Sequence, residues 1–224
     1  MSKCVFMFLL SARLSVCLFV FLLVSILSPA VSASEKEWLV YDRSQLMEDE
    51  YRDGDSFAVK PLTGYVYLFR LYGVDCPETD DRFESRLAEQ AKDFAIEQDD
   101  VMKWGEKASS FTREFLRKPF RVYTQKIKAE GASGKSRYYA IIINAEGQRL
   151  DEALIQAGLA RAHGMGAEWD EPMWEGKIAK FPRRMTTRRY LSGLRVLEKR
   201  AKREKVGIWG EKFFKASQAN GNKG

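Results

Sequence analysis

The feature that most constrains the fold is a pair of β-rich segments, residues 56–62 and 65–74, which Thr63 and Gly64 separate. Both segments are rich in β-branched and aromatic side chains, and the Thr-Gly pair suits the short turn of a hairpin. Pro77 ends the second segment, because proline has no backbone N–H to donate to a neighbouring strand. The sequence therefore predicts a β-hairpin that is followed directly by a polar turn.

Around this hairpin the sequence predicts a small β-barrel with helices packed on it. Further strands are predicted at residues 37–42, 120–128 and 137–144. Helical spacing of apolar side chains predicts helices at residues 80–102, 105–117, 150–158 and 188–205. Residues 164–187 show no clear period and are predicted to be a loop. The fold class is thus mainly β with two to four packed helices, and the pattern alone leaves closure of the barrel open.

The first 33 residues have the pattern of an export signal. Basic Lys3 and Arg13 border and interrupt an apolar stretch, and small residues ending at Ala33 suit signal peptidase. An uncleaved membrane anchor is the alternative, although the apolar run at 14–27 is shorter than the roughly 20 residues of a spanning helix. We expect a signal at 1–33, one domain at 34–215, a flexible tail at 216–224, and a secreted or periplasmic protein.

The net charge and the number of histidines and cysteines limit the classes of function that this chain can have. The 224 residues include 37 basic and 31 acidic side chains, a formal net charge of +6, so an anionic partner is expected. The one histidine, His163, excludes a His-rich zinc site. Three cysteines are too few for a disulfide scaffold, and only Cys76 lies beyond the predicted signal.

Acids and arginines concentrate at the end of the predicted hairpin. Arg70 lies in the second strand, and Asp75 and Glu78 follow within eight positions. Asp55 lies upstream in Asp-Gly-Asp-Ser, and Arg137 begins a later strand. Carboxylates that hold a hard cation or act as a base, together with arginines that bind phosphate, suit phosphodiester hydrolysis.

Four blocks, in order, give the chain a resemblance to the staphylococcal (thermonuclease-type) nuclease family. They are Asp-Gly-Asp-Ser at 53–56, Arg-Leu-Tyr-Gly-Val-Asp-Cys-Pro-Glu at 70–78, Arg-Tyr-Tyr-Ala at 137–140 leading to 150–160, and Glu-Lys-Arg-Ala-Lys at 198–202 ending in Gly-Ile-Trp at 207–209. The resemblance covers roughly residues 38–210. It implies a five-stranded OB-fold barrel, Ca²⁺ dependence and hydrolysis of DNA or RNA.

Roles carry over by position from that resemblance. It implies that Asp55 and Asp75 bind the metal ion, with the backbone carbonyl of Cys76 as a further ligand. It also implies that Arg70 and Arg137 bind the scissile phosphate and that Glu78 activates water.

The chain departs from the family pattern near these residues. Cys76 replaces a common threonine, and its thiol is expected to be a small semi-buried filler. The loop before Arg137 lacks the usual acidic residue and Tyr-Gly pair, but it keeps Lys135, which is expected to meet a terminal phosphate. Segments 80–103 and 165–187 look inserted. The first is expected to form either a wall of the site or a solvated helix.

A basic run lies near the C-terminal end. Residues 177–205 include Arg188 and Arg189, which are predicted to bind substrate, and only two acids oppose the basic side chains. A phosphate-tracking surface and a merely solvated face are the two interpretations.

These observations together predict an exported, Ca²⁺-dependent nuclease without sequence specificity. Its expected substrate is DNA or RNA that is single-stranded or locally unpaired, and it is expected to be a monomer with no protein partner. The main alternative is a non-catalytic nucleic-acid-binding module of the same fold. A third hypothesis is a calcium-stabilised envelope protein whose basic face holds anionic polymers or lipid.

Overall fold

The structure is a computed structural model that describes residues 38–47, 53–129, 136–164, 172–175 and 184–211, with backbone alone for 172–175 and 184. The predicted export signal, the predicted tail and Lys135 lie outside these residues. In the part of the chain that is described, no helix has the length and apolar character needed to cross a membrane.

Five strands of this chain close into a barrel. The described strands are β1 (Leu39–Leu46), β2 (Ser56–Lys60), β3 (Tyr67–Leu71), β4 (Val74–Asp75), β5 (Phe120–Thr124), β6 (Tyr138–Ile143), β7 (Arg161–Ala162), β8 (Pro172–Glu175) and β9 (Arg184–Thr186). The barrel order is β1-β2-β3-β6-β5. Only the β3–β6 pair is parallel among the five barrel pairs, and the others are antiparallel. The predicted OB-fold class is confirmed, and the barrel is closed.

The register of the barrel brings distant residues to one end. The predicted hairpin is confirmed as β2–β3, in which Ser56 pairs with Arg70. The parallel pairing then aligns Arg70 with Tyr139 of β6. Because Arg137 directly precedes β6, the end of β3 lies between the start of β2 and the start of β6.

Strand alternation determines which side of β3 faces the core. Phe69 and Leu71 are fully buried, whereas Leu68 before them and Arg70 between them are half-buried. Successive side chains of a strand point to opposite faces, so Arg70 points away from the barrel interior. This alternation of buried and half-buried side chains presents the arginine on the outer face of the barrel.

Four α-helices and one 3₁₀ helix are described around the barrel. They are α1 (Glu84–Phe94), α2 (Gln98–Phe115), α3 (Leu150–Gln156), α4 (Thr187–Glu204) and the 3₁₀ helix Gly207–Gly210. Thr186 caps α4, since its hydroxyl accepts the Arg189 N–H at 3.2 Å. Buried apolar side chains of these helices extend the barrel core, including Phe94, Leu154 and Leu194.

The boundary between the first two helices differs from the prediction of helices at 80–102 and 105–117. The chain leaves α1 at Ala95, whose φ of 58° is left-handed, and α2 begins three residues later. Helices commonly end at a glycine in this conformation, and alanine gives no such signal. Gly105, which the prediction placed at a helix start, lies inside α2 because the helix passes close to the backbone of another segment there.

Part of the segment predicted as a loop forms a small sheet. Within residues 164–187, β8 and β9 pair antiparallel, with a register shift between Pro172 and Trp174. The loop prediction is therefore wrong for these strands. Strands of three or four residues with an irregular register show no alternation that a sequence pattern would reveal.

Helix α2 packs directly on the two turns that carry the acidic residues. A Cβ on Gly105 would lie 2.1 Å from the carbonyl oxygen of Glu78, and a Cβ on Gly54 would lie 2.6 Å from the Cβ of Ala108. The hydroxyl of Thr112 also donates to the Gly54 carbonyl at 2.6 Å. The helix and both turns are thus in contact at distances that only glycine permits.

Because of this contact, we expect Gly105→Ala to destabilise the protein although alanine favours helix. The methyl group would overlap a backbone carbonyl that cannot rotate away, and overpacking of this kind costs about 1–3 kcal/mol. Urea denaturation monitored by circular dichroism measures the loss.

Gly193→Ala is the matched control. Gly193 lies within α4 with open space around its Cα, so alanine there should be neutral or stabilise by up to about 1 kcal/mol. Equal stability changes in the two variants would contradict the packing argument.

Candidate active site

Arg70 joins the two carboxylates that are predicted to bind metal. Its Nη1 lies 3.0 Å from Oδ1 of Asp55, and its Nη2 lies 2.7 Å from Oδ1 of Asp75. Both carboxylates are fully buried. Asp55 immediately precedes β2, Arg70 lies in β3 and Asp75 ends β4, so one guanidinium links three strands.

Asp75 is surrounded by three arginines. Besides Arg70, it accepts a hydrogen bond from Nη2 of Arg86 at 2.5 Å and from Nε of Arg161 at 3.0 Å. Arg86 comes from α1, and Arg161 is the register partner of Asp75 in the β4–β7 pair. Burial alone would raise the pKa of Asp75, but the three guanidinium groups lower this pKa to about 2.

Gln90 of α1 holds the turn that follows β4. Its Oε1 accepts the Glu78 N–H at 2.8 Å, and its Nε2 donates to the Cys76 carbonyl at 2.8 Å and to Oδ2 of Asp75 at 3.3 Å. Gln90 is fully buried. The carbonyl predicted as a metal ligand therefore already accepts a hydrogen bond from α1.

The Cys76 side chain is fully buried rather than semi-buried as expected, and its Sγ would lie 2.9 Å from a Cβ added at Gly54. Burial raises the pKa of the Cys76 thiol well above its ordinary value, and Asp55 and Asp75 raise it further. A neutral buried thiol is a poor nucleophile and a poor metal ligand. The backbone N–H of Cys76 donates to Oδ2 of Asp55 at 2.7 Å, so its main chain contributes more to the site than its sulfur.

Glu78 has the ionisation behaviour of a general base. Burial raises the pKa of Glu78 to about 7, and the neighbouring carboxylates of Asp53, Asp55 and Asp75 raise it as well. Oε1 of Glu78 accepts a hydrogen bond from Nε of Arg86 at 3.3 Å. A carboxyl group with this pKa exchanges its proton near neutral pH, as a general base requires.

Arg70 and Arg137 converge on one hydroxyl group. Nη1 of Arg137 donates to Oγ of Ser56 at 3.0 Å, and Nη1 of Arg70 lies 3.4 Å from the same oxygen. Burial and the neighbouring Arg70 lower the pKa of Arg137, and its buried Nε has no hydrogen-bond partner. Two guanidinium groups this close favour an anion between them.

The structure places the remaining predicted site residues elsewhere or outside its described range. Arg188 and Arg189 lie exposed in the first turn of α4. The next residue, Tyr190, donates from its hydroxyl to the Tyr72 carbonyl at 3.0 Å, so α4 begins beside the turn between β3 and β4. Lys135 is not described.

Three residues that contact the acids were missed by the sequence argument. Arg86 and Gln90 are four positions apart on α1, which places them on one helix face. That spacing is visible in the sequence of segment 80–103. The interpretation of this segment as a wall of the site predicted its position beside the acids, but it did not identify the two residues. Arg161 gave no signal, because its role depends on the β4–β7 register.

The donor set suits a hard divalent cation. Asp55, Asp75, Glu78 and the Cys76 carbonyl offer oxygen atoms, the ligands that Ca²⁺ prefers. Burial raises the pKa of Asp55, despite the nearby Arg70. A bound cation would lower the pKa of Asp55, because it would stabilise the charged carboxylate. Within the described ranges, no group of three or more His, Cys, Asp or Glu side chains forms a metal cage.

We expect the Glu78→Gln variant to be more stable than the parent protein at alkaline pH in the absence of metal. Protonated Glu78 is favoured in the fold, so its contribution is complete below its ordinary pKa of 4.5 and is lost as the pH rises through 7. Glutamine cannot ionise and keeps that contribution.

The stability gained by Glu78→Gln should therefore grow by about 2–3 kcal/mol between pH 5 and pH 8. Urea denaturation in EDTA across this range measures it. Glu114→Gln, on an exposed position of α2, controls for the loss of one carboxylate. A gain that does not change with pH would contradict the raised pKa.

Comparison with known families agrees with this geometry. Residues 68–171 match the family model described as staphylococcal nuclease homologue. The matched span includes Arg70, Asp75, Glu78 and Arg137, whereas Asp55 precedes it and α4 follows it. The resemblance inferred from the sequence blocks is confirmed over this span, which is similar to the staphylococcal nuclease homologue family and supports a domain of that type.

Proposed function

We propose that this protein is an exported, Ca²⁺-dependent nuclease that hydrolyses phosphodiester bonds of DNA or RNA without sequence specificity. The observation that carries the proposal is the convergence of Arg70 and Arg137 on Ser56, beside a buried carboxylate cluster that contains Glu78. Proteins of this family are generally nucleases that act on nucleic acids and typically use Ca²⁺.

The two arginines supply the binding site for the reacting phosphate. Each guanidinium is planar and offers paired N–H donors that match two oxygens of a phosphate group. Arg70 is held by Asp55 and Asp75, so it is already oriented before substrate arrives. Preorganised donors stabilise the charge that grows on the phosphate oxygens in the transition state. They recognise the backbone rather than the bases, which accounts for the absence of sequence specificity.

Glu78 takes the proton from the attacking water. With a pKa of about 7, its carboxylate is half ionised near neutral pH and can accept the proton as the oxygen attacks phosphorus. The Gln90 side chain fixes the Glu78 backbone, and Arg86 holds one carboxylate oxygen. The other oxygen of Glu78 is the one assigned to the water.

Asp55, Asp75 and the Cys76 carbonyl are the groups that would hold Ca²⁺. When bound, this cation would act as a Lewis acid toward a phosphate oxygen and would lower the pKa of water. Arg70 and Arg137 would orient the phosphate, and Glu78 would orient the water.

The proposal also includes the form of the substrate, the oligomeric state and the location of the protein, for which the support comes from the sequence. Single-stranded or locally unpaired DNA or RNA is the proposed substrate, bound by a monomer. The apolar N-terminal segment supports export, either as a cleaved signal or as a retained anchor.

We expect Arg137→Ala to lower kcat for cleavage of single-stranded DNA by about 10²–10³, because one preorganised donor to the transition state is lost. Arg137 is the better choice for truncation, since removing Arg70 would also break its ion pair with the buried Asp55. The assay compares Ca²⁺ with a chelator and reads products on a denaturing gel.

Arg121→Ala is the matched control, because Arg121 lies on β5 and pairs with Asp42 away from the carboxylate cluster. Its cleavage rate should equal that of the parent. Calcium-dependent cleavage lost only in Arg137→Ala would support the enzyme. Tight binding of the strand without cleavage in any metal would instead support the non-catalytic module. Glu78→Gln without effect on cleavage or binding would favour the envelope-protein hypothesis.

A further inference from the structure

Helix α1 places a positively charged side chain, that of Arg86, against the acids that are proposed to bind metal. The guanidinium of Arg86 contacts three carboxylates: Asp75 through Nη2 at 2.5 Å, Glu78 through Nε at 3.3 Å and Glu89 through Nη1 at 3.0 Å. The expected metal ligand and the expected base thus share one arginine. That arginine belongs to a segment that looks inserted in the family pattern.

Both oxygens of Asp75 already accept two hydrogen bonds each. Oδ1 receives Arg70 at 2.7 Å and Arg86 at 2.5 Å, and Oδ2 receives Arg161 at 3.0 Å and Gln90 at 3.3 Å. A carboxylate oxygen with two donors in place has no remaining direction for a metal ion. A cation can therefore bind Asp75 only if one of these donors leaves.

Arg86 is the donor best able to leave. Its side chain is 24% exposed, compared with 14% for Arg70 and for Arg161, while Gln90 is fully buried and holds the turn. Arg86 also has a second anchor, because Glu89 lies one helical turn along α1 and is 54% exposed. After release from Asp75, Arg86 would remain paired with Glu89 at the surface of α1.

We propose that Arg86 is a built-in cation that competes with Ca²⁺ for Asp75, so that metal binds only as the Arg86 guanidinium moves off this carboxylate. The proposal rests on the metal site assigned under the proposed function. Because a like charge within a few ångströms disfavours a second cation, Arg86 would lower the affinity of the site for Ca²⁺. It would also tie metal entry to a change at Glu78, which Arg86 contacts at the same time.

The test measures Ca²⁺ affinity in the absence of nucleic acid. The full chain and its variants are titrated with CaCl₂ by isothermal calorimetry, with Tb³⁺ luminescence as a second reading of the same site. We expect Arg86→Gln, which removes the charge but keeps a polar side chain, to bind Ca²⁺ at least tenfold more tightly than the parent. Arg86→Lys keeps a positive charge and should show a smaller gain than Arg86→Gln.

Arg82→Gln is the matched control, since Arg82 lies in the same segment, is 55% exposed and pairs with Asp80. Its Ca²⁺ affinity should stay within twofold of the parent. Circular dichroism and thermal unfolding establish that each variant is folded.

Unchanged or weaker Ca²⁺ binding by folded Arg86→Gln would overturn the proposal, as would the absence of binding in every variant. Equal gains in Arg86→Gln and Arg86→Lys would also overturn it, because charge would then not be the cause. These results are separate from those on nuclease activity. If the parent protein cleaves DNA with Ca²⁺ while Arg86→Gln shows no change in Ca²⁺ affinity, only the inference about Arg86 is overturned. The proposed function would then stand.

Discussion

Two buried carboxylates, those of Asp55 and Asp75, share the guanidinium of Arg70, and the geometry of the site depends on that ion pair. Each acid comes from a different strand segment, so neither turn can shift without separating charges in a medium where water cannot replace the lost partner. Breaking a buried pair by removing one member typically costs about 3–5 kcal/mol. Under the proposed function, the same contacts hold the arginine in place for a phosphate. Stability and the proposed function thus depend on one group of atoms.

Helices α1 and α2 add further contacts to the turn that follows β4. Gln90 of α1 bonds both the N–H of Glu78 and the carbonyl of Cys76, and α2 passes so close to Glu78 that Gly105 has no room for a side chain. The turn after β4 is therefore held from two sides. A turn held only by its own backbone would leave Glu78, the proposed base, free to adopt several positions, which would lower the fraction of time that it spends in reach of water.

The residues of the site that the sequence predicted share one property, which is closeness along the chain or a place in a recognisable block. Arg70, Asp75 and Glu78 lie close together along the chain, in β3, in β4 and just after β4, so local reasoning grouped them. Arg161 meets Asp75 across 86 positions through a two-residue strand pair that has no sequence signature. The break between α1 and α2 was missed for a related reason, because Ala95 adopts the conformation that glycine usually signals. Both features are determined by tertiary packing, which local sequence patterns do not reveal.

The parallel pairing of β3 with β6 has a consequence for how the chain acquires its site during folding. Arg137 reaches Ser56 across 81 positions of sequence, and only closure of the barrel brings these two segments together. Contacts of such high order form late, since the entropy of closing a long loop must be overcome before the contact contributes any energy. The hairpin that carries Arg70 can form early, but an unclosed chain lacks the second guanidinium. The proposed phosphate site therefore forms only once the barrel has closed.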